Sequence, residues 1–203
     1  YGGLRFFERA EIKDALAYLR LTLNQDDDTS FERIVNVPTR GIGHRTLDIV
    51  RQHARGTSQT MWQSASELVQ GSELTARAAN ALRNFLELID ALAAQMSELE
   101  LFEQVEHVLG QTELLAFHGN AKGEKAETRV ENLKELVTAA RNYYQDEEEE
   151  MDPLSAFLAH AALEAREGQA DAWEDCVQLM SLHSANGLEF RLVCVSGMDA
   201  RRL

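Results

Sequence analysis

Apolar residues return at three- and four-residue steps along most of this chain, and that period commits it to helices packed on one another. Between Ala10 and Leu23 the recurring positions are Ile12, Ala15, Leu16, Leu19 and Leu23. The polar run Asn24–Asp28 breaks the pattern. Thr29 followed by Glu32 has the form of a capping box, opening a short helix through Phe31, Ile34 and Val35. Pro38 ends it, because proline excludes the helical conformation from the residue before it.

The same period predicts helices over Thr60–Val69 and Glu73–Met96, then over Leu101–Leu109 with a stop at Gly110. After a glycine-containing loop, Gly119–Gly123, it resumes over Thr128–Tyr144. An acidic run, Asp146–Asp152, precedes Pro153, which opens a helix carrying Leu154, Phe157, Leu158 and Leu163. Beyond Arg166 the character changes. A polar loop, Glu167–Asp175, leads to two predicted strands, Val177–Leu182 and Arg191–Ser196, separated by the turn signal Asn186-Gly187. The fold class is therefore mainly α, with two short C-terminal strands that suit a sheet whose other strands are missing.

At 203 residues with 44% hydrophobic and 27% charged residues, the chain fits one domain, or one domain plus a fragment of another. A chain of this size buries about 70% of its unfolded surface and needs no staple. Cys176 and Cys194 are read as small buried hydrophobes, although a bridge between them stays open. There is no CxxC or HExxH spacing to suggest a metal. Nor is there a signal peptide, or an apolar run near the roughly 20 residues of a membrane span, so a cytoplasmic location is expected. Tyr1-Gly2-Gly3 and Arg201-Arg202-Leu203 read as the ends of a segment cut from something longer.

The net charge of −14 argues against coating nucleic acid by bulk electrostatics. Its distribution is uneven. Residues 1–55 hold nine Lys/Arg against eight Asp/Glu, whereas the remainder holds eleven against twenty-six. A phosphate-facing surface belongs in the N-terminal quarter.

Neither GxxxxGK[ST] nor GxGxxG occurs, so no residue here can organise the β- and γ-phosphates of a nucleotide, and no catalytic residue is assigned. The segment Pro38-Thr39-Arg40-Gly41-Ile42-Gly43-His44-Arg45-Thr46 is the most suggestive. Two glycines around an isoleucine allow close backbone approach. Set between two helices and flanked by Arg40 and Arg45, the loop is similar to the hairpin of helix-hairpin-helix DNA binders, whose amides and following helix N-terminus hold a phosphate. The plainer alternative is a tight interhelical turn with incidental arginines.

Three blocks, in order, resemble those of the UvrD/Rep-type superfamily 1 DNA helicases. Tyr1–Asp14 is similar to the family's GGxxFFExxEIKD, Pro38–Gly43 to its PTRGIG, and Gln178–Phe190 to motif V, TxHxAKGLEF. Gly123-Glu124-Lys125 and Arg129–Leu133 match it as well. The resemblance covers essentially the whole chain. It implies a helical 2B-like insertion over residues 1–175, with 1–9 joining it to motor domain 2A, and a RecA-like 2A fragment with motif V over 176–203. It further implies that the longer protein is an ATP-dependent 3′ to 5′ helicase acting in repair or replication, using ATP and Mg2+, and that this segment alone binds neither.

By the same resemblance Glu189 and Gly187 belong to the nucleotide site and His183 to the single-strand track. Duplex DNA would meet Thr39, Arg40, Gly41, Ile42, Gly43, Thr46 and Lys13, with Arg20 sharing the Lys13 face or merely solvated there. Two departures from motif V stand out: Ser181 keeps the usual threonine's hydroxyl, while Asn186 loses the usual lysine's charge. Phe6, Phe7, Trp62 and Trp173 are read as packing residues. Expected partners are duplex and junction DNA, the other domains of the parent helicase, and repair proteins. A competing expectation is a protein-interaction module whose acidic surface docks partners without touching DNA.

Overall fold

The computed structural model describes residues 6–120, 124–144, 151–166 and Leu192, and the regular elements among them are all helices. In chain order they are α1 (Ala10–Leu23), α2 (Asp28–Ile34), α3 (His44–Thr57), α4 (Met61–Leu68), α5 (Ala76–Met96), α6 (Leu101–Gln111), α7 (Leu114–Gly119), α8 (Glu124–Arg141) and α9 (Pro153–Arg166). The chain divides into two compact units, Tyr1–Gln169 and Ala170–Leu203, and these helices belong to the first. The predicted strands, Cys176, Cys194 and Trp173 lie outside the described residues.

Local chemistry sets most of the boundaries. Asp27, not Thr29, opens α2, its carboxylate accepting the Ser30 N–H at 3.0 Å. Thr60 and Gln63 cap α4 reciprocally, and the Thr75 hydroxyl accepts the Ala78 N–H to open α5, leaving Glu73 outside. Asp152 receives the Ser155 N–H at 3.1 Å, so Pro153 stands in the first turn of α9, where a missing N–H costs nothing. Three further expectations need correction. Gly110 does not stop α6, which runs to Gln111. A short helix, α7, follows Glu113 in the left-handed region (φ 60°). Helix α8 begins at Glu124, four residues before Thr128.

Helix α1 is the centre. Ile12, Ala15, Leu16, Ala17, Tyr18, Leu19 and Leu21 are all within 2% of full burial. Around them pack α2, α5, α6, α8 and α9. Helix α3 pairs with α4, and α7 with α8. The aromatic residues pack as expected: Phe7 meets Phe6 and Phe157 edge-on, and Phe31 stands between Trp62 and Phe85 in the same way.

A helix this enclosed carries its polar groups inside. Glu11 is 5% exposed and Asp14 8% exposed, so each carboxylate needs a partner. Asn132 of α8 donates to Glu11 at 2.6 Å and accepts a hydrogen bond from the Arg9 guanidinium. Arg129 lies 3.9 Å from the other Glu11 oxygen. Arg33 of α2 pairs with Asp14 at 2.8 Å and also donates to the Ala10 carbonyl. The first sequence block therefore works largely inward, joining α1 to α2 and α8. Burial raises the Asp14 carboxyl above its ordinary value, against the pull of Arg33.

His118 of α7 faces this cluster, 5% exposed, with an Nε2 that has no hydrogen-bond partner. Burial lowers its pKa below the ordinary 6.5, and the attraction of Asp14 opposes that only in part. The folded state thus favours neutral imidazole, and the stability this confers is lost as pH falls below 6.5. Asp14 acts in the opposite sense and at lower pH, because its folded-state carboxyl protonates more readily than the unfolded one. The melting temperature should therefore fall on acidification from about pH 7.5 to about pH 5.5, and His118→Gln should flatten that decline. An equally steep decline in the variant would remove His118 as its source.

Candidate nucleic-acid interface

Between α2 and α3 the chain turns through Val35–Gly43, and one side chain organises the turn. The Asn36 carboxamide oxygen accepts the N–H of Arg40 at 2.8 Å and that of Ile42 at 3.2 Å. An asparagine side chain thereby closes the loop in place of backbone. Gly41 sits at φ 81°, a conformation that disfavours side chains. Ile42 turns inward and is 1% exposed. The glycines on either side of it are exposed, and a Cβ on either would meet nothing within 4 Å.

Tyr18 of α1 supports the loop from below, its hydroxyl donating to the Val37 carbonyl at 2.6 Å. Burial pushes this phenol up to about 12, with Arg40 opposing, so the hydroxyl remains a donor at neutral pH. The Arg40 guanidinium is not directed outward, as the sequence suggested. It donates to the carbonyls of Ile34 (3.3 Å) and Pro38 (3.1 Å) and lies over the rings of Tyr18 (5.7 Å) and Phe85 (5.6 Å). Its role is to clamp the loop onto α1 and α5.

Gly43 caps α3 without a side chain, and the first turn of α3 contains no acid. Its carbonyl accepts the Thr46 and Leu47 amides. Among the described residues, the amides of Gly41, Gly43, His44 and Arg45 have no protein acceptor. These donors belong to exposed residues at and just before the positive end of a 14-residue helix, which carries about half a unit charge. Exposed side chains of His44 and Arg45 flank them. The arrangement can bind an oxyanion through backbone and charge together.

The other predicted contacts are placed less uniformly. Thr39 is exposed beside the loop, but Thr46 is only 9% exposed, facing the α3 core side. Lys13 is exposed on α1 and Arg20 half-buried. They stand about 140° and 160° around the helix axis from Tyr18, the residue that touches the loop, at 100° per residue. Lys13 is therefore not brought to the hairpin. Helices α2 and α3 pack on α1 and α4 rather than on each other, and meet through the Arg51–Glu32 ion pair. His183, Gly187 and Glu189 fall outside the described residues. Sequence reading left Asn36 and His44 out and treated Arg45 only as a flank. An Asx residue ahead of a turn was the available signal for Asn36.

The family profile described as UvrD-like helicase C-terminal domain matches residues 1–203. The chain is 58% identical, over 200 residues, to the DNA helicase II of Salmonella typhimurium and to that of Escherichia coli. Each alignment takes in 98% of this chain and 28% of the relative. The ATP-dependent DNA helicase PcrA of Bacillus subtilis is 39% identical over 204 residues, with 98% and 27% covered. The chain thus spans little more than a quarter of the length of these relatives.

The two loop glycines should respond differently to one substitution. Gly41→Ser forces a side chain into positive φ and should cost about 1–2 kcal/mol. Gly43→Ser places a capping hydroxyl at extended backbone and should hold or raise stability by a few tenths of a kcal/mol. Urea unfolding measures both. Equal costs would contradict the positive φ at Gly41.

Proposed function

Since the chain belongs to the UvrD-like helicase C-terminal domain family, we propose that its helical unit is the DNA-engaging accessory domain of an ATP-dependent 3′ to 5′ DNA helicase. In that reading residues 1–175 form the 2B-like insertion and 176–203 a strip of the RecA-like motor domain carrying motif V. Together α2, the loop and α3 act as a helix-hairpin-helix. The observation that carries the proposal is the row of free amides at Gly41, Gly43, His44 and Arg45, open to solvent at the start of α3.

A duplex phosphate seated there receives backbone hydrogen bonds and the charge of Arg45. Such contacts are indifferent to sequence and sensitive to salt. The grip holds duplex ahead of the fork while the motor acts on the single strand it tracks along, and rotation of the domain tunes unwinding. An acidic remainder helps, because the excess of carboxylates after residue 55 disfavours nucleic acid on the surfaces they occupy.

ATP and Mg2+ supply the driving hydrolysis in the longer protein. Within these 203 residues no phosphate-loop lysine is available, so this chain's part in that site is confined to motif V. There Glu189 has the chemistry for ribose hydroxyls and Gly187 for close backbone approach, while His183 can stack on or donate to the single strand. Asn186 in place of lysine removes one charge from the coupling between the two sites.

Binding of a labelled single-/double-strand junction to this chain tests the proposal. Arg45→Ala should weaken the complex about fivefold at low salt and reduce the slope of log K against log salt by about one. Gly43→Ser, whose hydroxyl would compete for the Arg45 amide, should weaken it comparably while remaining folded. Lys13→Ala should change it less than about twofold. Junction affinity unaffected by both loop substitutions would end the reading.

A further inference from the structure

At the C-terminal end of α5, beyond its mid-helix contact with the hairpin at Phe85, lies a cleft of about 750 Å3, formed by the end of α1, the α5–α6 turn, the end of α8 and the start of α9. Its apolar lining includes Leu23, Met96, Leu99, Phe102 and Leu154. Met96 and Leu154 are buried and form the floor, whereas Leu23 is 47% exposed at the rim. Glu98, Glu100 and Asp152 also line it, all exposed. Among the described residues, Arg141 is the single cationic side chain in the lining, and its guanidinium lies 4.3 Å from the centre of the Phe102 ring.

This combination selects its occupant. An apolar lining open to solvent attracts an apolar side chain, while the carboxylates decide what accompanies it. Nucleic acid is repelled. A second copy of this chain would bring another net −14 to the contact, which opposes self-association. We propose that this cleft docks a cationic amphipathic segment of a partner protein, which inserts a large aliphatic or aromatic side chain and lays lysines or arginines along Glu98, Glu100 and Asp152. Eleven residues of α5 separate Met96 in the cleft from Phe85 beneath the hairpin, about 16 Å along the axis. The cleft and the loop can therefore be occupied together, and the inference does not depend on the DNA reading.

The test uses the 203-residue chain and a labelled synthetic helix with one leucine face and one lysine face. A second peptide with glutamate in place of lysine serves as control. Saturable binding of the lysine peptide is expected, weakening as salt rises from about 0.1 M to about 0.5 M, with none for the glutamate peptide. Leu23→Ser and Glu98→Lys alter exposed side chains, so circular dichroism should report intact folding. Each should weaken the peptide complex about fivefold or more, leaving junction affinity within about twofold. Lysine-peptide binding that ignores both substitutions overturns the proposal, as does equal binding of the glutamate peptide. A chain that sediments as a dimer dissolved by Leu23→Ser also overturns it, in favour of a second copy as the occupant. Weakened junction binding upon Arg45→Ala with peptide binding retained keeps the two sites' outcomes apart.

Discussion

A helix enclosed on nearly every side must have each of its polar groups answered by a neighbour, and α1 dictates much of this fold through that requirement. Glu11 calls for Asn132 and Arg129, which fixes α8; Asp14 calls for Arg33, which fixes α2. Tyr18 calls for a carbonyl and finds that of Val37, which seats the loop. Hydrophobic burial alone would let these helices slide or rotate by small amounts. An ion or hydroxyl sealed away from water tolerates little such freedom, because an unmatched group costs about 1–3 kcal/mol or more. The polar interior therefore sets register, while the apolar residues supply most of the driving force.

The long helices were legible in the sequence because their information is local. Periodicity placed α1 at its observed limits, α4 to within one residue at each end, and the start of α5 and of α9 to within a few residues. Whatever depends on a distant neighbour was not legible. Helix α7 is six residues long, too short to persist alone, and exists because it packs on α8. Gly110 reads as a terminator, yet α6 continues past it under the packing of α5 and α8.

The candidate site divides in the same way. Its location was visible as two glycines around an apolar residue between helices, and the loop is indeed open to solvent. Side-chain directions were not visible. Arg40 looks from sequence like a phosphate ligand, but two aromatic faces and two carbonyls lie within its reach on the inner side. Lys13 and the loop share one basic stretch of sequence and different sides of α1. Charge counted along a chain does not say which faces it will occupy; that follows only once the rotation of each helix about its axis is settled.

Held by Asn36 from within, by Ile42 from beneath and by Arg40 across two rings, the connection between α2 and α3 has little slack. Any load applied at its tip passes directly into α1 and α5 rather than stretching a tether. A pull at the glycines is then felt first at Tyr18 and at Phe85, the middle of α5, through the guanidinium that covers both rings.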